Sequence, residues 1–275
     1  MGRPAYQKAG HRIWVVIIFI VAALLIEGAI LAVLSATGWD KRVNVWILLV
    51  IFIPGLMFSF AAIWLRGRLK RERIAGMAAL LRSDGFRVVE KPGKAERMAF
   101  LEPLAHLAAA LRLTSGAAGV QWFAVENVHP GKPAALVFEH EYQTGTGSTT
   151  HFVGHTVVAW PAGHPDLAGQ PWATSPWFLM AQFSRYLRRG TQHEELKASE
   201  LAGWQSTWSM FGDVSTGVAF LFPPTVRTVL DHSPLGETWS LGANWVCLSF
   251  SGLLKREGLS GFLTHGRAVL KASMR

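Results

Sequence analysis

Hydrophobic and polar positions fall into two regimes along the 275-residue chain. Up to residue 65 the pattern is blockwise. Ile13 to Leu34 and Val45 to Leu65 are apolar runs of about 20 residues, which at about 1.5 Å per residue match a roughly 30 Å hydrocarbon layer. They predict a transmembrane helical hairpin (13–34 and 45–65) behind a short cytosolic tail (1–12). Beyond it, Ile74, Met77, Ala78 and Leu81 keep a helical spacing, so a basic juxtamembrane helix is expected over 66–83, ended by Asp84-Gly85.

From residue 84 the periods become short and mixed. Phe86 to Val89 reads as a strand, Glu96 to Leu113 as helical with a break near Pro103, and Gly119 to Val128 as a strand. A Pro-Gly turn at 129–133 precedes strand Ala134 to Tyr142, and a Gly-rich turn at Thr144 to Ser148 precedes strand Thr149 to Trp160. Three strands joined by tight turns predict an antiparallel meander. The Pro- and Gly-rich segment Pro161 to Pro176 is expected to be irregular, Phe178 to Arg189 helical, and Trp204 to Met210 a strand. Helices are then expected at Val214 to Phe222 and Pro224 to Leu230. A hairpin of Thr238 to Leu241 with Trp245 to Phe250 around Gly242 comes next, then a closing helix from Lys255 to Ala272. Strands and helices without regular alternation predict a membrane-anchored α+β protein, with packed helices on a meander sheet in a cytosolic domain over 84–275.

Charge orients the expected hairpin. Residues 1 to 73 hold ten Lys or Arg against Glu27, Asp40 and Glu72, a net of +7, whereas residues 74 to 275 hold 17 against 15, a net of +2. Eight of these ten cations precede the first run or follow the second, and only Lys41 and Arg42, beside Asp40, lie in the turn between them, so both termini are expected on the cytoplasmic side of a bacterial inner membrane. Arg66, Arg68, Lys70, Arg71 and Arg73 are candidates for anionic lipid headgroups. A nucleic-acid partner is not expected, because the folded domain lacks a basic stripe. Trp14, Trp39, Trp46 and Trp64 sit at the ends of the runs or between them, as membrane-interface anchors do.

An acidic side chain inside an apolar run needs a partner or a task, and Glu27 is the one such residue here. Antiparallel alignment sets it level with Ile51. Three roles stay open for it: a protonated carboxyl donating to the Val50 carbonyl freed by Pro54, a contact on another subunit, or proton or ion transfer. Gly28, Ala32 and Ala36, and Gly55 and Ser59, recur every four residues, so a neighbouring helix can approach closely on those faces.

Candidate chemistry is sparse. The hairpin histidines offer the best metal set: His140, Glu141, His151 and His155, if the register sets Glu141 opposite His151. Against it, residues 151 and 155 lie about 13 Å apart along a strand. Gly131-Lys132-Pro133 breaks the phosphate-loop pattern, Gly145-Thr146-Gly147 leads into a strand rather than a helix, and Gly258-Leu259-Ser260-Gly261 falls in a helical stretch. Neither apolar run holds a histidine, so no haem ligand and no other cofactor is expected. The lone Cys247 allows no internal disulfide. Trp172, Trp177, Phe178, Phe183 and Tyr186 form an aromatic cluster that is either a docking surface or core.

The phrases "ALVFEHEYQTGTGSTTHFVGHTVVAW", "SPWFLM", "FGDVSTGVAFLFPPTVRTVL" and "WSLGANWVCLSF", behind two spans and a basic helix, resemble a widespread group of uncharacterised bacterial membrane proteins. The resemblance covers most of residues 70 to 272 and implies architecture, not chemistry.

The features together lead to the expectation of a non-catalytic accessory subunit that stabilises integral-membrane partners of a larger inner-membrane complex. Respiratory and photosynthetic assemblies are the host classes that recruit such subunits. The competing expectations are a membrane-tethered metal-binding enzyme or sensor using the hairpin histidines, and a lipid-surface organiser without a fixed protein partner.

Overall fold

The computed structural model of the chain describes residue 28 and residues 45–107, 119–127, 134–144, 151–161, 177–181, 208–211, 224–232, 237–242 and 245–273. Two compact units divide between Ile74 and Ala75. In the first, a long helix α1 (Val45–Ser83) begins, and it ends in the second. Gly85, with φ +86°, takes the left-handed conformation that closes a helix, its amide donating to the Arg82 carbonyl.

The second unit is built on one antiparallel sheet of eight strands in the order β1-β2-β3-β4-β8-β7-β5-β6. The strands are β1 (Phe86–Val89), β2 (Val120–Glu126), β3 (Leu136–Thr144), β4 (His151–Pro161), β5 (Trp177–Ala181), β6 (Trp208–Phe211), β7 (Glu237–Gly242) and β8 (Trp245–Ser251). Helix α2 (Lys94–Leu101) runs into a 3-10 turn (Glu102–Leu107), and α3 (Pro224–Asp231) and α4 (Arg256–Ser273) follow later.

Register explains the layers. Phe138 opposite Val157 and Leu136 opposite Ala159 share one face of the sheet, where Phe100, Leu101 and Leu104 pack on them. The Phe100 ring stacks on Phe123 at 4.2 Å and meets Phe138 edge-on at 5.4 Å. Their neighbours Val137, Val158, Trp160, Val246 and Leu248 point to the other face, as strand alternation requires. There Phe250 meets Phe262 of α4, and Trp160 stacks with Trp239 at 6.5 Å. Strands β4 and β8 are thus buried on both faces: Val157, Val158, Val246, Cys247 and Leu248 are all inaccessible.

Two expectations are corrected here. Among the described residues no helix is long and apolar enough to cross a membrane, so the transmembrane hairpin is overturned, and with it the membrane-anchored fold class. The second apolar run and the basic stretch after it are one 39-residue helix, α1, which ends at Ser83 just before Asp84-Gly85. The first run, apart from Gly28, lies outside the described residues. Phe178 to Arg189 is also corrected: residues 177–181 are strand β5, inserted between β7 and β6, and 182–200 lie outside the described residues.

Helix α4 reaches the sheet through Gly266, where an added Cβ would lie 2.5 Å from the Trp160 ring. Gly to Ala in a helix interior is ordinarily favourable by up to about 1 kcal/mol. Here the ring is 98 % hidden and has nowhere to move, and overpacking costs typically 1–3 kcal/mol. Gly266→Ala is therefore expected to lower the urea midpoint of the full chain, despite its better helix propensity.

Candidate functional site

Polar side chains in the middle of this sheet form two sets, one on each face. On the face toward α4, a row of opposed residues crosses four strands: Trp122, Glu139, Thr156 and Phe250. A register shift between Val120 and Trp122 leaves Gln121 as an extra residue, and this bulge aims Trp122 at Glu139. Trp122 Nε1 donates to Glu139 Oε2 at 2.7 Å. Thr156 Oγ1 lies 3.3 Å from Glu139 Oε1 and 3.2 Å from the Gly252 carbonyl, so its single proton serves one of two acceptors. Trp122, Glu139 and Thr156 are completely buried. At the start of β7, the buried Glu237 places Oε2 3.2 Å from His265 Nε2 of α4.

On the opposite face His140 and His155 stand directly across from each other, their rings stacked at 5.4 Å and 23°. Phe138 lies 5.9 Å from His140 along the same strand. Both imidazoles are buried. Rings stacked face to face direct their nitrogens outward in parallel planes, a poor start for two ligands converging on one ion.

The sequence-predicted metal set does not assemble as expected. Glu141 is opposite Gly154 and His151 opposite Thr144, so the pairing that would join Glu141 to His151 is absent. Alternation sends Glu141 to the face away from His140 and His155, where it accepts from Gln121 Nε2 at 3.4 Å. The His151 side chain lies outside the described residues. Among the described residues no three His, Cys, Asp or Glu side chains are grouped as a metal would need.

Exposed apolar side chains form the other distinctive group. Ile53, Met57, Phe60, Ile63 and Trp64 of α1 are 49–69 % exposed, and among the described residues Met98 is the one other large hydrophobic so placed. At 3.6 residues per turn the five lie within an arc of about 120°. Gly55 is half-buried, and Ser59 Oγ donates to the Gly55 carbonyl at 2.9 Å, so that hydroxyl serves its own helix. Directly after them come Arg66, Arg68 and Arg71, exposed, and Lys70 and Arg73, half-buried. Arg68 pairs with Glu72 at 2.8 Å and lies 5.7 Å over the Trp64 ring. Gly28 is helical and exposed. Trp14, Trp39, Glu27 and Ala32 lie outside the described residues, as does the Trp46 side chain.

No family model, curated protein or solved structure matches the chain.

Sequence inspection missed the row through Glu139, although a signal was present. A carboxylate and a hydroxyl interrupt otherwise apolar strands at Glu139 and Thr156, and such residues need partners when buried. Which partners they find depends on a bulge that spacing does not reveal.

Two outcomes test the roles given to these buried groups. Trp122→Phe removes the indole donor and is expected to cost about 1–3 kcal/mol, read by urea unfolding. Adding Glu139→Leu to it should cost less than the sum of the two single changes, because the stranded acceptor is gone. Burial drives the Cys247 thiol far above its ordinary range, so in the folded chain at pH 8 it should resist alkylation and react only on unfolding.

Proposed function

We propose that the protein is a non-catalytic accessory component of a bacterial inner-membrane multiprotein assembly. Its sheet unit serves as a rigid body against partner subunits, and its helix α1 serves as the element that recruits it. One observation carries this proposal: among the described residues, five of the six large apolar side chains left exposed are gathered on twelve residues of one helix, Ile53 to Trp64. Contiguous apolar surface of this kind marks an interaction site, since leaving it in water is unfavourable by roughly 25 cal/mol per Å². The interior polar groups give no competing support for catalysis. Glu139 is engaged by Trp122 and Thr156 at a completely buried position, where a substrate has no route to it. A structural role for that carboxylate agrees with an accessory part and with a sheet that must stay rigid.

Tagged full-length protein extracted in mild detergent tests the proposal. It is expected to migrate on native gels with stoichiometric co-purifying subunits. The double variant Phe60→Ser, Ile63→Ser should lower their recovery at least about ten-fold while leaving the urea midpoint of the sheet unchanged. Migration of the wild-type protein as a lone species, at every detergent level tried, would overturn the proposal.

A further inference from the structure

We draw no further inference here: the strongest candidate, the exposed apolar face of helix α1 from Ile53 to Trp64 with the cations that follow it, already belongs to the proposed function, and nothing in the structure shows what covers it.

Discussion

Burial of the central strands on both faces is the constraint on which the rest of the second unit depends. Strands β4 and β8 have no wet side: α2 and its 3-10 turn cover one face, and α4 covers the other. Most residues there satisfy the constraint by being apolar. The polar exceptions must find internal partners, because a buried group left unbonded costs of the order of several kcal/mol. Glu139 is the severest case, and its answer is structural at every level. A one-residue bulge in β2 reorients Trp122, the register sets Thr156 on the other side, and the turn at Gly252 offers a carbonyl to the same hydroxyl. Backbone irregularity, side-chain chemistry and strand order therefore act together at one point.

Helix α1 shows the opposite behaviour. Its C-terminal turns obey the same rule as the sheet, with Met77, Ala78 and Leu81 fully enclosed. More than three turns earlier, Trp64 and Ile63 are mostly in the open. The same apolar side-chain type is hidden in one part of a continuous helix and exposed in another, so composition alone does not account for the difference. Between the two parts lie five Lys or Arg in eight residues, of which Arg66, Arg68 and Arg71 are exposed, as charged heads prefer.

Local pairing was legible in the sequence, and distant pairing was not. The meander of β2, β3 and β4 and the hairpin of β7 and β8 follow from alternation and turn residues, and their strands lie where those signals place them to within two or three residues. The β4–β8 and β5–β7 pairings join segments separated by dozens of residues, with no local signal to announce them. Trp177 to Ala181 illustrates the ambiguity. A short apolar run fits a buried strand as well as a helix, and here the neighbouring edges of β7 and β6 decide it. The membrane hairpin rests on counts of apolar residues, and among the described residues no helix is long and apolar enough to cross a membrane. For the candidate site, residue type was legible and register was not. His140 and His155 were both singled out, yet the pairing that stacks them lies three residues away from the one that would set Glu141 opposite His151.

That three-residue difference is an odd number, and it decides which face each side chain takes. Since side chains alternate across a strand, an odd slip would have turned Glu141 toward the His155 face, His140 away from it, and Glu139 off the row it shares with Trp122 and Thr156. The register observed does the reverse. It gives the fully buried carboxylate the Trp122 donor, with the Thr156 hydroxyl shared between it and the Gly252 carbonyl, and leaves the half-buried one to Gln121 at the margin. The bonded carboxylate on one face and the stacked histidines on the other are thus two properties of a single register.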